Sequence, residues 1–113
     1  MFQKMLQGGG GGENPKLQYK NGTGKIVDRT LSITNIGFKP LGIILSGTYV
    51  SSGDTYRVSI AYMLIDENVI LQASVGNNDA SKTVTVTLGE NDLTLNFTYT
   101  GSIITCEYTV IGM

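Results

Sequence analysis

The sequence contains no histidine, no tryptophan and a single cysteine, Cys106. The lack of histidine excludes Ser-His-Asp triads, Cys-His nucleophiles and the usual zinc-finger ligand sets, and one cysteine cannot form an internal disulfide. The longest strongly apolar run covers residues 61–65, far short of the roughly 20 residues that cross a bilayer. A secretory signal is also missing. We therefore expect a protein made in a cytoplasm, without a cofactor or a membrane partner.

Chain length and net charge further restrict the number of domains and the kinds of partner. A chain of 113 residues and 12.1 kDa supports one hydrophobic core and one domain. Eight basic and nine acidic side chains give a net charge of −1, which argues against nucleic-acid binding. Residues 1–40 carry six basic and two acidic side chains (+4), and residues 41–113 carry two basic and seven acidic ones (−5). A basic arm and an acidic body attract each other. The alternative interpretation is that these few charges are unevenly distributed by chance and contribute little.

The N-terminal segment differs in composition from the rest. Gly8–Gly12 is a run of five glycines, which has high backbone entropy and supplies no core side chains. In residues 1–7, which precede the glycines, the side chains of Phe2, Met5 and Leu6 would share one face of a helix. A helix this short is unstable unless it docks on another surface. We interpret residues 1–15 as an anchoring arm and residues 16–113 as the folded domain, a disordered terminus being the alternative. The residues expected to contact a partner are Phe2, Met5, Leu6, Gly8, Gly9, Gly10, Gly11 and Gly12.

Alternating apolar residues, typical of β-strands, run through the chain from Lys25 onward. Threonines fill the alternate positions of several runs, as expected for strands with one solvent-facing side. Turn residues separate the runs, which group into two three-stranded meanders, residues 41–75 and 82–110. Each meander has one apolar face.

The turns also predict the strand register, because opposed residues follow from loop position and a slip by one residue would expose the apolar set. In the first meander the loops are residues 51–54 and 66–67; in the second they are residues 89–92 and 100–101. The predicted pairs include Tyr49 with Tyr56, Ile43 with Tyr62, Leu64 with Val69, Ile60 with Ala73, Leu88 with Leu93, Val84 with Phe97, Phe97 with Ile104 and Leu95 with Cys106.

Two further segments complete the predicted fold. Lys25–Ile36 supplies one more strand, and Leu17–Lys20 a short edge strand. The apolar faces of the meanders bury each other. The fold class is therefore all-β, a small antiparallel sandwich or flattened barrel of two three-stranded meanders with one or two extra strands and an extended N-terminal arm.

The polar residues offer little catalytic chemistry. The acidic residues lie mostly in predicted turns, where turn formation and solubility explain them better than a catalytic pair. Two turn segments, residues 77–79 and 90–92, also hold clustered oxygen atoms that suit calcium, but without EF-hand spacing. We therefore expect no enzymatic activity and no metal. The turn acids are Asp54, Asp66, Glu67, Asp79, Glu90 and Asp92.

Cysteine and tyrosine are both expected in the core. Cys106 falls on an apolar strand face, which favours a small core residue over a nucleophile. Five of the six tyrosines lie on predicted core faces, Tyr19 being the exception. Core packing is thus their favoured use. A carbohydrate-binding surface of exposed tyrosines is the alternative.

The start of the chain, Met1-Phe2-Gln3-Lys4-Met5-Leu6-Gln7 followed by Gly8–Gly12, resembles that of small tail-associated structural proteins of phages and prophages of Gram-positive bacteria. In these proteins a few apolar and basic residues precede a polyglycine run and a β-rich body. The likeness covers 12 of 113 residues and carries over no catalytic or binding residue. It implies repeated incorporation into a virion or tail-like particle, with the terminus as the attachment point.

These observations favour a non-enzymatic structural protein of a phage tail, baseplate or fibre, held by the arm and displaying the sandwich. A head-decoration or head-fibre protein is the first alternative, and a carbohydrate- or cell-surface-binding module is the second. The expected partners are other virion proteins and copies of the chain in a homo-oligomer, with a host-surface glycan for the binding module and no nucleic acid or membrane. The expected location is the virion, after synthesis in the bacterial host cytoplasm.

Overall fold

A computed structural model of the chain describes residues 16–51, 53–98 and 102–113, without the side chains of residues 51 and 102–104. This part of the chain is all-β, as predicted, and its only helix is one 3-10 turn at Ser81–Thr83, so no helix there is long enough to cross a membrane. The strands are β1 (Gln18–Gly24), β2 (Thr30–Ile33), β3 (Pro40–Ser51), β4 (Asp54–Ile65), β5 (Asn68–Val75), β6 (Asn78–Asp79), β7 (Val84–Leu88), β8 (Leu93–Phe97) and β9 (Ser102–Gly112).

The strands form two antiparallel sheets that pack face to face. The larger sheet has six strands in the order β1-β9-β3-β4-β5-β6, and the smaller has three in the order β2-β8-β7. Both contribute to one core, in which Ile43 and Leu45 of the large sheet and Leu93 and Leu95 of the small sheet are at most 1% exposed. The predicted antiparallel sandwich is thus confirmed, although its strands divide six and three.

Three of the four predicted hairpin registers are confirmed. Tyr49 pairs with Tyr56 between β3 and β4, and Leu64 pairs with Val69 between β4 and β5. Residues 41–75 therefore form the predicted meander. Leu88 pairs with Leu93 between β7 and β8, also as predicted. In each case the turn position and the apolar stripe select the same register.

The fourth register is wrong. The prediction opposed Leu95 to Cys106 and Phe97 to Ile104, which would place β9 beside β8. Instead, Cys106 pairs with Gly47 on β3 and with Gly24 on β1, while β8 pairs with β2 on its other side. The chain therefore passes from the small sheet to the large one between β8 and β9. Strand length accounts for this, because the 11 residues of β9 match the 12 residues of β3, whereas the small sheet has strands of 4 and 5 residues.

The segments before residue 40 also differ from expectation. The strand predicted over Lys25–Ile36 is shortened to Thr30–Ile33, because Asp28 and Arg29 have positive φ in the turn that precedes it. The edge strand predicted over Leu17–Lys20 extends to Gly24 and pairs with β9. The predicted arm, residues 1–15, lies outside the described residues.

The core contains most of the predicted apolar residues, with two exceptions. Val69 was expected to face inward but is 56% exposed, and Tyr56 is 38% exposed. Both lie next to a hairpin turn at an end of the large sheet, where Tyr56 instead packs on the ring of Tyr49, with 5.6 Å between the ring centroids. Tyr62 and Tyr108 are partly buried against the core, as predicted, and Tyr99 lies outside the described residues.

Candidate functional site

The face of the large sheet that points away from the small sheet, here called the outer face, is the main candidate surface. None of its side chains belongs to the buried core. The strand registers place on it Tyr19, Asn21 and Thr23 of β1; Thr105, Glu107, Thr109 and Ile111 of β9; Ile44, Ser46 and Thr48 of β3; Arg57, Ser59, Ala61 and Met63 of β4; and Ile70, Gln72 and Ser74 of β5.

Small polar side chains make part of the outer face concave. A shallow depression of about 690 Å³ lies over β1, β9, β3 and β4, and two adjoining depressions measure about 430 and 350 Å³. Ser46 on the central strand β3 lines all three, so the depressions adjoin one another at this small side chain. We define the polar groove by Thr23, Ser46, Thr48, Arg57, Thr105 and Glu107.

The polar groove carries charges of both signs among hydroxyl groups. Glu107 is paired with Ser46, and Arg57 is paired with Thr48 on the neighbouring row. Lys25, just after β1, adds a second cation at the rim. Hydroxyl, guanidinium and carboxylate groups on a rigid sheet suit hydrogen bonds to a polar ligand such as a saccharide.

An apolar stripe crosses the outer face beside the polar groove. The registers place Tyr19, Ile111, Gly42, Met63 and Ile70 in one row across β1, β9, β3, β4 and β5. Tyr19 is 71% exposed and Ile70 is 54% exposed, although both are large hydrophobic residues. We call these five residues the apolar row. Between Tyr19 and Ile70, Gly42 is buried and Ile111 and Met63 are partly buried, so the exposed apolar surface of the row lies at its two ends, and such surface can contact another molecule.

The turn residues that offered oxygen atoms for calcium have local hydrogen-bonding roles. The Asp79 carboxylate accepts from the backbone N–H of Ser81 at 2.9 Å, and the Asn91 amide oxygen accepts from the N–H of Gly37 at 2.7 Å. The hydrogen bond from Ser81 lowers the pKa of the Asp79 carboxyl, so this carboxyl is ionised at neutral pH. Within residues 16–51, 53–98 and 102–113, no three Asp, Glu, Cys or His side chains come together as a metal site would require.

Cys106 is a core residue, as predicted. Its side chain is 2% exposed, and its thiol donates to the carbonyl oxygen of Gly24 at 3.4 Å. Burial raises the pKa of the thiol, which keeps it protonated and unreactive.

The residues singled out from the sequence and those on the outer face are different sets. The predicted partner-binding residues Phe2, Met5, Leu6 and Gly8–Gly12 lie outside the described residues. Sequence reasoning missed that Arg57 and Glu107 lie on one face, on either side of β3, because the incorrect β8–β9 register assigned Glu107 to the other sheet. The alternation of Thr105, Glu107 and Thr109 did indicate an exposed strand face, but not which strand lies beside it.

Comparisons with known proteins give few matches. No protein-family model and no curated protein matches this chain. Among solved structures, it is similar to a tailspike protein, gp49, from Acinetobacter baumannii bacteriophage Fri1, described as a capsular polysaccharide depolymerase. The two share 12% sequence identity with a TM-score of 0.42, over 84% of this chain and 17% of the tailspike chain.

Proposed function

We propose that this chain is a non-enzymatic structural protein of a phage tail, baseplate or fibre. In this proposal residues 1–15 attach it to the particle, chiefly through Phe2, Met5, Leu6 and the glycines at 8–12, and the sandwich is displayed. The protein is then a virion component whose partners are other virion proteins and further copies of itself.

The observation that carries the proposal is the separation between the arm and the core. Within residues 16–51, 53–98 and 102–113, the buried hydrophobic side chains lie between Leu31 and Val110, well after the proposed arm in sequence. Residues 1–15 lead into β1, which is an edge strand of the large sheet. An arm that leaves from a sheet edge can contact a neighbouring protein without disturbing the core.

The energetics of the arm favour attachment inside an assembly. Ordering five glycines costs about 1–2 kcal/mol each, or about 5–10 kcal/mol. Burying Phe2, Met5 and Leu6 contributes about 1.5–3 kcal/mol each, or about 5–9 kcal/mol. The two terms nearly cancel, so backbone hydrogen bonds to the glycines and contacts from several copies must supply the remaining affinity. This explains why such an arm suits repeated incorporation better than a one-to-one complex.

A head-decoration or head-fibre protein would use the same arm and the same body. The two locations are separated by where the chain is found when tails and heads are purified apart. We propose the tail because the N-terminal resemblance is to tail-associated proteins.

A carbohydrate-binding module is the second candidate function, and the polar groove favours it. The groove presents hydroxyl groups together with Arg57 and Glu107 on a rigid sheet. A glycan array probed with the full chain and with Arg57→Ala tests this candidate. Binding of a defined sugar that Arg57→Ala weakens by tenfold or more would support it, while absence of binding would reject it. Val27→Ala is the matched control, since Val27 is 62% exposed and lies outside the outer face.

The structural role is tested by incorporation into particles. A tagged full-length chain and a chain lacking residues 1–12 are expressed in the strain that encodes it, and particles are purified on a density gradient. We expect the full chain to band with particles and the truncated chain to stay in the unassembled fraction while keeping the far-ultraviolet circular dichroism of a folded β protein.

Two further variants test which arm residues make the attachment. Changing Phe2, Met5 and Leu6 to serine removes the apolar anchor but keeps the glycines, and should lose incorporation. Changing Gln3 and Gln7 to serine alters the arm outside the proposed contact residues and should retain incorporation. Incorporation of the truncated chain at the full-length level would reject the anchoring role.

A further inference from the structure

The large sheet has two edges that the described chain leaves largely open. β1 forms one edge, and at the other edge β6 pairs only with Ser74 and Val75 of β5. Ile65 and Asn68 flank the two-residue turn before β5, so this pair exchanges the hairpin hydrogen bonds. Val69 and Leu71 therefore direct their N–H and C=O groups toward the open side. Such an edge can accept another strand.

Three of the six large hydrophobic residues that are exposed in the described chain lie at these two edges. Tyr19 on β1 is 71% exposed, and Val69 and Ile70 on β5 are 56% and 54% exposed. Tyr19 and Ile70 are also the two ends of the apolar row. Each edge thus offers free backbone groups together with apolar surface.

The two edges have opposite charge. Residues 16–25 contain three lysines and no acidic residue (+3), whereas residues 66–79 contain Asp66, Glu67 and Asp79 and no basic residue (−3). Complementary charges of this kind favour the pairing of one edge with the other and oppose the pairing of either edge with its own copy.

We propose that β1 of one copy adds to β5 of a second copy, so that the large sheets of successive copies join edge to edge. β1, β3 and β5 run in the same direction, because each is separated from the next by one antiparallel strand. Adding a copy in the same orientation therefore makes a parallel pair. The apolar row continues across the junction when Tyr19 lies beside Ile70. In that register Lys16 lies beside Glu67 and Asn21 beside Gln72, and the pairing ends there because Ala80 and β6 occupy the open side of Ala73–Val75.

This contact joins two different surfaces, so every added copy leaves a free β1 edge and a free β5 edge. Such a heterologous contact builds rings or filaments rather than closed dimers. The pairing uses only residues 16–79 of the body. It therefore stands or fails independently of the proposed arm and of the particle in which the chain resides.

Paired cysteine variants of the full chain test the junction. Tyr19→Cys and Ile70→Cys are purified separately, mixed and exposed to a mild oxidant. Within one copy the two positions lie four strand spacings apart, about 19 Å, which is too far for a disulfide, since its Cα atoms lie within about 7 Å. Any bond between them therefore joins two copies. Tyr19→Cys mixed with Ile44→Cys is the matched control, since Ile44 is 55% exposed but lies on a central strand.

We expect the Tyr19→Cys and Ile70→Cys mixture to give at least tenfold more disulfide-linked dimer than the control mixture. Equal yields in the two mixtures would overturn the proposal. Dominant dimers of Tyr19→Cys alone or of Ile70→Cys alone would also overturn it, because they would show each edge pairing with its own copy.

Sedimentation velocity of a second variant gives an independent test. Val69→Pro removes an N–H that faces the open side and leaves the β4–β5 hydrogen bonds intact. We expect the wild type and the control Val69→Thr to form larger species as concentration rises, and Val69→Pro to remain monomeric. A wild type that stays monomeric at every concentration, or a Val69→Pro that assembles like it, would contradict the proposed pairing.

Discussion

The ring of Tyr108 on β9 lies directly over the backbone of Gly22 on β1, in the space that a Cβ atom of residue 22 would occupy. The two residues are paired across the strands. The ring of Tyr108 is partly buried against the core, so the absence of a side chain at Gly22 allows an edge strand to cover it. Glycine weakens a strand by its flexibility, and here the aromatic ring that covers it offsets that cost.

Gly22→Ala should destabilise the fold, because the added methyl group must displace the Tyr108 ring from its place. We expect a loss of about 1–3 kcal/mol in the free energy of unfolding, the usual range for overpacking. Urea denaturation followed by circular dichroism measures it. The neighbouring Thr23→Ala on the exposed face is the control and should change stability by less than about 0.5 kcal/mol. An unchanged midpoint for Gly22→Ala would mean that the ring does not need this space.

The turn between β4 and β5 should become more stable in the double variant Asp66→Asn, Glu67→Gly. Both residues have positive φ, 48° and 67°, and Asn-Gly is the preferred sequence for such a turn. Glycine at position 67 removes the steric strain of a side chain in the left-handed region, which stabilises the fold by about 1–2 kcal/mol. Its extra flexibility in the unfolded chain lowers the free energy of unfolding by about 0.4–1 kcal/mol. We therefore expect a net gain of about 0.5 kcal/mol in urea denaturation.

The matched control for the turn is Glu90→Gly, since Glu90 lies in the exposed loop between β7 and β8 and has no positive φ. Here glycine adds flexibility and also removes the exposed ion pair between Glu90 and Lys39 at 4.0 Å, which contributes little in solvent, and we expect a loss of about 0.5–1 kcal/mol. If both variants destabilise the protein equally, the positive φ at residue 67 is not a source of strain.

Asp79 should contribute to a decrease of stability in acid. The pKa of its carboxyl is lowered by the hydrogen bond from the backbone of Ser81, then by that residue's side chain and by Lys82. A carboxyl with a lowered pKa in the folded state stabilises the fold above its unfolded pKa and loses that contribution as pH falls through the folded pKa. Urea midpoints measured between about pH 2 and pH 5 should fall less steeply in Asp79→Ala than in the wild type. Identical slopes would contradict the role of this hydrogen bond.

Cys106 should react with Ellman's reagent only when the protein unfolds. Its thiol is 2% exposed, and burial raises its pKa. Because the folded-state pKa is raised, the protonated thiol stabilises the fold below the unfolded pKa, and this contribution is lost as pH rises through the folded pKa. We expect the rate of labelling in urea to follow the fraction unfolded, with Val69→Cys as an exposed control that reacts at once. Rapid labelling of the native wild type would contradict the burial of the thiol.

The sequence predicted the faces of the strands better than their partners. Leu93 and Leu95 of β8 and Cys106 of β9 all point into one core, as their alternation indicates. In a sandwich, however, that alternation is satisfied equally by strands side by side in one sheet and by strands facing each other across the core. The loops before residues 56, 69 and 93 are short, and the strands on either side of each loop form the predicted hairpin. The connection between Phe97 and Ser102 is as short as the loop between Leu88 and Leu93, yet it leads to the other sheet, so its register was predicted wrongly.

The candidate site was harder to predict for the same reason. Arg57 and Glu107 are about 50 positions apart in sequence and line one depression only because β4 and β9 both pair with β3. The apolar row likewise combines residues from five strands, each of which is a single outer-face position in its own alternation pattern. Patterns within a strand predict which side faces solvent, whereas a surface across strands depends on the strand order.

Quantitative mass spectrometry of purified particles tests the proposed function most directly. Particles from the strain that encodes the chain are separated on a density gradient, and peptides of the chain are measured in each fraction against a major structural protein. A virion component should appear at a constant ratio to that protein across the particle peak. Peptides confined to the unassembled fractions, with none in the peak, would contradict the account.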